Sequence, residues 1–323
     1  MIPERLPGRV YQAVPGFEDH LSCELGTLGH ERQEYAPFNE LKGAGLYYAA
    51  SDPSLPVFWA RNIWREPFLL NFATISEAAG ALRAIQRNWA PVLCTQFRRG
   101  ALIAAKLPPL PEKRRPFPWL LPKEPMGAWT LLDPHTLLGS AAPDNPFPGG
   151  VIEFEEDREG PPSRAYLKLW EALVRARRWP VPGERCLDAG ASPGGWTWAL
   201  AKLGAEVLSV DRAPLEPRVE AMPGVRYQRH DAFTLSPGDL GPLDWVFCDV
   251  ACYPQRLFGW VEKMLGSGLC RNFVCTIKMQ GGPPSGPLGG GDFDTPRRFA
   301  ALPGGQVLHL YHNKHELTWI RIQ

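Results

Sequence analysis

The stretch of the chain best suited to chemistry is CLDAGASPGGWTWAL, residues 186–200. It sets Asp188, Gly190, Ser192, Gly194 and Gly195 between a short apolar run and a segment of helical character, which is where a doubly wound α/β sheet binds its ligand. Glycines let the backbone approach a ligand closely, and a following helix offers free N–H groups to an acceptor. Pro193 interrupts the spacing of a dinucleotide site, so a cofactor with a carboxylate and a ribose fits this turn better than a pyrophosphate. Trp196, within the same turn, is a further candidate site residue. Asp211 ends the next apolar run about twenty residues beyond the turn, where an acidic side chain typically accepts hydrogen bonds from ribose hydroxyls. Asp231 follows the third run in RHDAF, placed either to meet an exocyclic amine of adenine or to cap a helix.

These residues need a sheet to hold them. Apolar runs at 185–189, 206–210, 225–228, 245–248, 273–277 and 317–322 alternate with helical segments, the pattern of a mainly parallel sheet covered on both faces. A helix is expected over 163–179, with Ser163 as its N-cap and Leu167, Trp170 and Val174 along one face. Another follows the glycine turn over 196–203. In the last run Leu317 and Trp319 alternate with neighbours expected to face outward. The first half reads as mixed α/β, with an extended opening at 9–14, a turn at Pro15-Gly16, a helix over 18–28 and a second over 75–89, where Ala78, Leu82 and Ile85 share a face. The 35 prolines and 32 glycines cluster at 107–125, 143–150 and 281–291, and the middle cluster divides the chain into regions 1–150 and 151–323.

A length of 323 residues suits two domains, and 44% hydrophobic with 21% charged residues is ordinary for a soluble globular protein. With no apolar run of about 18 residues and with charges and prolines in MIPERLPGRV, a cytoplasmic location is expected. Seven cysteines without a CxxC pair argue against a disulfide framework and a tetrahedral zinc site. The spacing of His309, His312 and His315 specifies no metal site either, so no metal is expected. A net charge of +1 means that a nucleic acid would have to meet local patches: Arg98, Arg99, Lys106, Lys113, Arg114, Arg115 and Lys123 in the first half, and Arg175, Arg177 and Arg178 in the second. Most of the twelve tryptophans read as packing.

The run GASPGGWTW resembles the first motif of the FtsJ-related ribose 2'-O-methyltransferases. PGFE at 15–18, DNPFPGG at 144–150, PSRAYLKLWEA at 162–172, CDV at 248–250 and LYHNKHELT at 310–318 are similar to the branch that methylates a cytidine ribose in bacterial large-subunit ribosomal RNA. The resemblance implies a Rossmann-like methyltransferase domain preceded by a smaller ferredoxin-like, THUMP-like RNA-binding region. It implies S-adenosyl-L-methionine as cofactor and RNA as partner, with neither DNA nor a membrane. It also places the family's catalytic lysine, aspartate, lysine and glutamate on Lys168, Asp249, Lys278 and Glu316, with Asp249 also lying against the amino-acid portion of the cofactor.

The chemistry such a family performs explains the residue types. A ribose 2'-hydroxyl is a poor nucleophile at neutral pH, so a general base must take its proton as the methyl group is attacked in line. A lysine can serve if desolvation and a second lysine lower its pKa, which assigns Lys278 as base and Lys168 as its like-charge neighbour. Asp249 and Glu316 would then orient the amines and limit the cost of burying them. One departure from the family stands out, since a basic stretch and a helix are expected after the second lysine and this chain has GGPPSGPLGGG at 281–291. Three other readings stay open: the same chemistry on another RNA such as transfer RNA, an RNA-binding or ribosome-assembly protein that holds the cofactor without turnover, and a small-molecule methyltransferase.

Overall fold

Trp64, Trp89 and Trp129, none more than 1% exposed, anchor two apolar cores in the first half of the chain. The structure, a computed structural model, describes residues 2–28, 41, 45–50, 55–110, 114–279 and 293–323; Lys113 and GGPPSGPLGGG lie outside them. The described residues form two units, one from those up to Arg114 with Leu121–Glu153, the other from Arg115–Leu120 and those from Phe154 onward. No described helix is long and apolar enough to cross a membrane.

The first unit holds two sheets. Strands β1 (Glu4–Arg5), β5 (Phe68–Asn71), β8 (Thr136–Ser140), β7 (Gly127–Leu131) and β6 (Trp89–Pro91) lie side by side in that order. Strands β3 (Leu46–Ala49), β2 (Arg9–Ala13), β4 (Ala60–Arg65) and β9 (Ala142–Pro143) form the other. Among the described residues the unit also carries helices α1 (Glu18–Thr27), α2 (Ile75–Ile85) and α3 (Phe97–Ala104). Helix α2 stops short of the expected residue 89 because Gln86 is extended, and the Trp89 indole N–H donates to the carbonyls of Leu82 and Gln86 at 2.8 and 2.9 Å, satisfying the helix end.

The second unit is built on one seven-stranded sheet. Strands β10 (Arg185–Ala189), β11 (Glu206–Asp211), β12 (Val225–Arg229), β13 (Leu243–Cys248) and β14 (Cys270–Lys278) run parallel, and β15 (Gly305–Leu308) and β16 (Glu316–Arg321) complete it in the order β12-β11-β10-β13-β14-β16-β15. This is a Rossmann-like sheet, wound outward from β10 in both directions. Its helices are α4 (Tyr166–Ala176), α5 (Gly195–Lys202), α6 (Pro217–Glu220), α7 (Pro237–Leu240), α8 (Pro254–Gly266) and α9 (Asp294–Ala301).

Two differences from the sequence reading bear on the site. Strand β16 pairs antiparallel with β14 on one side and β15 on the other, so Thr318 and Ile320, expected to face outward, are as buried as Leu317 and Trp319. Helix α4 starts at Tyr166 rather than at Ser163, whose hydroxyl accepts only from the Ala165 N–H at 3.4 Å, and it ends where Arg177 turns left-handed at φ 54°. All of Tyr166–Val174 is buried, so the polar residues on this helix, Lys168 and Glu171, need internal partners. Of the twelve tryptophans, all but Trp119 and Trp179 are buried, as packing requires.

Candidate active site

Sheet register brings the charged residues together. Ala189 of β10 pairs with Cys248 of β13, Cys248 with Cys275 of β14, and Lys278 at the end of β14 stands opposite Glu316 at the start of β16. Asp249 follows β13 directly, and α4 contributes Lys168. The Lys168 ammonium donates to the two Asp249 oxygens at 3.0 and 3.1 Å and to Glu316 Oε1 at 2.7 Å. The Lys278 ammonium donates to Asp249 Oδ1 at 2.6 Å and Glu316 Oε2 at 2.5 Å. Two cations and two anions thus alternate in a closed ring. Trp196 supports it from below: its indole N–H donates to Ala165 O at 2.9 Å, and its ring centroid lies 5.7 Å from Lys168 Nζ.

The electrostatics differ from expectation at one point. Burial pulls the Lys278 pKa down, but contact with Asp249 and Glu316 more than reverses this and holds it above the ordinary lysine value. A neighbouring lysine does not win here because each ammonium touches both carboxylates. Burial likewise pushes the Asp249 carboxyl up, and Lys168 and Lys278 hold it below the usual carboxylate range. Lys278 gains stability from the ring that is present below its ordinary pKa and lost only as pH rises through its raised one; Asp249 gains stability lost only as pH falls through its lowered one. The Lys278 ammonium and the Asp249 carboxylate are therefore both favoured across neutral pH. Its lysines are not equivalent, for the Lys278 side chain is 24% exposed and that of Lys168 only 7%.

Beside the ring, the glycine turn is fastened to the end of β11. The Gly190 and Ala191 N–H groups donate to Val210 O at 2.9 and 3.3 Å, and those of Ser192 and Ala213 donate to the two oxygens of Asp211 at 3.0 and 2.9 Å. Each Asp211 oxygen keeps accepting capacity, which suits it to ribose hydroxyls. The Ser192 hydroxyl donates to Pro214 O at 2.8 Å, and Pro193 O accepts the Glu216 N–H at 2.9 Å. At Gly194, with φ at 117°, a Cβ would stand 2.9 Å from Val219 Cγ1, and at Gly195 it would stand 2.4 Å from the Ser163 hydroxyl. At Gly194 the left-handed backbone itself favours glycine, whereas the close contact at Gly195 is with a side-chain hydroxyl that can turn away. Asp231 takes the Phe233 N–H at 3.0 Å on Oδ1, capping a short turn, while its Oδ2 pairs with Arg212 and Arg256. Of the two roles open to Asp231 in the sequence, the cap is the one these contacts display.

A family model described as FtsJ-like methyltransferase matches residues 161–274. Residues 161–274 are thus similar to the FtsJ-like methyltransferases. A protein named ribosomal RNA large subunit methyltransferase M from Halorhodospira halophila is 34% identical over 58% of this chain and 54% of its own length. The protein of the same name from Azotobacter vinelandii is 37% identical over 45% of this chain and 42% of its own. The chain spans about half the length of the curated relatives it matches. Among solved structures, a putative hemolysin from Streptococcus thermophilus is similar at a TM-score of 0.41 and 19% identity, covering 53% of this chain and 70% of that one.

Two supports of the site, Glu171 and Asn313, were not singled out in the sequence, and a third, Asp188, was read there only as part of the glycine turn. Glu171, fully buried on α4 one turn beyond Lys168, accepts the backbone N–H groups of Tyr311 and His312 at 2.8 and 3.0 Å and contacts His312 Nδ1 at 2.8 Å. Asn313 donates to Glu316 O at 2.9 Å and accepts from the Thr318 hydroxyl at 3.1 Å. Together they fix the turn before Glu316, and both lie in segments quoted for the family resemblance, PSRAYLKLWEA and LYHNKHELT. Asp188, third, lies beneath the turn at 1% exposure; its Oδ2 accepts from the Thr197 hydroxyl at 2.6 Å, which lies 2.8 Å from that of Ser209. Its Oδ1 has no hydrogen-bond partner among the described residues, and burial pushes the carboxyl pKa up to about 7.

Two outcomes follow from this geometry. Lys168→Met leaves two buried carboxylates sharing one ammonium, and chemical denaturation should show a loss of about 3–5 kcal/mol; a variant within about 0.5 kcal/mol of wild type, the range of an ordinary surface substitution, would contradict the ring's role. For Asp188, a folded pKa raised from 3.8 to about 7 means that stability falls as pH rises through that window. The shift corresponds to a cost on the order of 4 kcal/mol by pH 8. Asp188→Asn should flatten the fall in denaturation midpoints measured from pH 5 to 8, and an unchanged slope would show that Asp188 is ionised throughout.

Proposed function

We propose that this chain transfers a methyl group from S-adenosyl-L-methionine to a ribose 2'-hydroxyl of large-subunit ribosomal RNA, with a cytidine as the target. The observation that carries this reading is the ring of Lys168, Asp249, Lys278 and Glu316 at the carboxyl edge of the sheet, beside the glycine turn. The names of the relatives and the family match support it. In this reading region 151–323 is the methyltransferase domain, and region 1–150, ferredoxin-like and THUMP-like, docks the RNA. Exposed Arg98, Lys106 and Arg114 supply that region with charge.

Gly190, Ser192, Pro193, Gly194, Gly195 and Trp196 form the cradle for the cofactor, with Asp211 on its ribose and Asp249 toward its amino-acid end. Asp231 meets the adenine amine with the accepting capacity left on Oδ1. The bound cofactor supplies the methyl group on a sulfonium, whose positive charge disfavours a protonated lysine nearby. Lys278 is the base because its side chain reaches the open side of the ring, whereas Lys168 is enclosed. It must first release its own proton to solvent; its free amine then takes the hydroxyl proton as the ribose oxygen attacks. Asp249 and Glu316 hold the amine in place and neutralise the ammonium that results. Lys168 keeps both carboxylates in position.

The reading predicts a single-turnover rate that rises with pH while Lys278 is mostly protonated, by about tenfold per unit, and then levels off. Lys278→Ala should lower the rate about 100-fold to 10,000-fold with cofactor and RNA binding within a few-fold. Lys278→Arg should not rescue it, because a guanidinium stays protonated. Transfer by Lys278→Arg near the wild-type rate, with both ligands saturating, would show that the base lies elsewhere.

A further inference from the structure

The carboxyl edge of the second unit's sheet carries a second cluster of charge, whose arginines the proposed methyl transfer does not use. Arg212 follows β11, Arg229 ends β12, and Arg256 lies in the first turn of α8. Asp231 Oδ2 accepts from Arg212 and, at 3.2 Å, from Arg256, while Arg229 Nε donates to Arg212 O at 3.1 Å. The Arg256 guanidinium lies 4.6 Å from the Phe233 ring. Arg212 and Arg256 share the Asp231 carboxylate, and Arg229, whose register partner is Asp211, adds a third guanidinium to this edge of a chain whose net charge is only +1. The side chains of Arg212 and Arg256 are 75% and 53% exposed, and ion pairs so open to water add little to stability. Folding alone gives no reason to gather three arginines here.

On the same loop as Arg256 is Tyr253, 66% exposed, the residue that precedes α8. Its carbonyl accepts the Arg256 N–H at 3.0 Å, so ring and guanidinium belong to the same turn. Residues 250–253 lead directly from Asp249 to this turn, and the rim therefore begins where the charged ring ends. Guanidiniums take phosphates, and an exposed aromatic ring takes a base face; side by side they are the pairing that single-stranded nucleic acid requires.

We propose that the rim of Arg212, Arg229, Arg256 and Tyr253 holds single-stranded RNA next to the target ribose, with the guanidiniums on its phosphates and Tyr253 stacked on a base. This rests on the proposed RNA methyl transfer. Asp231 serves the rim by fixing two of the guanidiniums.

The test is a fluorescence-anisotropy titration of a single-stranded oligoribonucleotide at several salt concentrations, alongside methyl transfer to unmodified large-subunit ribosomal RNA. Arg229→Gln with Arg256→Gln should weaken RNA binding about tenfold and make the salt dependence shallower by about one phosphate contact or more. Tyr253→Ala should weaken it about fivefold or more at an unchanged salt slope. Arg271→Gln, which removes one positive charge at the far end of β14, should leave both alone, and calorimetry of S-adenosyl-L-methionine binding reports that each variant is folded. If wild type methylates the RNA while the double variant and Tyr253→Ala both keep wild-type affinity and slope, the rim is overturned and the methyltransferase reading stands. A wild-type protein that neither binds the RNA nor methylates it overturns both.

Discussion

Burying two ammonium groups is affordable only if anions are buried with them, and this constraint organises the second unit. Lys168 lies on a helix with no solvent-facing side, and Lys278 ends an interior strand. Each finds the same two carboxylates, one supplied by the residue after β13 and the other by the first residue of β16. The antiparallel return of β16 between β14 and β15 is what sets Glu316 opposite Lys278. Without that return the ring would hold two cations and one anion, and burial would drive a proton off one lysine or open the site to water.

The supports of the ring are themselves buried polar groups, and they form a chain of dependence. Glu171 ties α4 to the turn at Tyr311 and His312, Asn313 ties that turn to Glu316, and Trp196 ties the glycine turn to both Ala165 and Lys168. The helix that carries one lysine, the turn that precedes one carboxylate and the cradle proposed for the cofactor are thus joined by named contacts. Asp188 adds tension from beneath, since one of its oxygens lacks a hydrogen-bond partner among the described residues and its carboxyl is costly to ionise there.

Much of this was legible in the sequence because parallel strands buried on both faces read as apolar runs, and because strand ends at one edge of such a sheet are where side chains gather. The runs at 185–189, 206–210, 245–248 and 273–277 lie within strands, and the family resemblance picked out four residues that the structure brings into contact. What was not legible depends on partners distant in sequence. The rise in the Lys278 pKa comes from Asp249 and Glu316, 29 and 38 residues away. Gly194 read as space for a ligand, yet its left-handed backbone, packed against Val219, already favours glycine there. Strand β15 carries too few apolar residues to announce itself, and so the inward burial of Thr318 and Ile320 was missed with it.

The most direct measurement of the central claim is where the methyl group lands. Large-subunit ribosomal RNA lacking the modification is incubated with the protein and S-adenosyl-L-methionine labelled in its methyl group, then hydrolysed in alkali. A methylated 2'-oxygen cannot attack the adjacent phosphodiester, so transfer to the ribose leaves the label in an alkali-resistant dinucleotide, and that is the predicted result. Label recovered in mononucleotides would place the methyl on a base and contradict the reading.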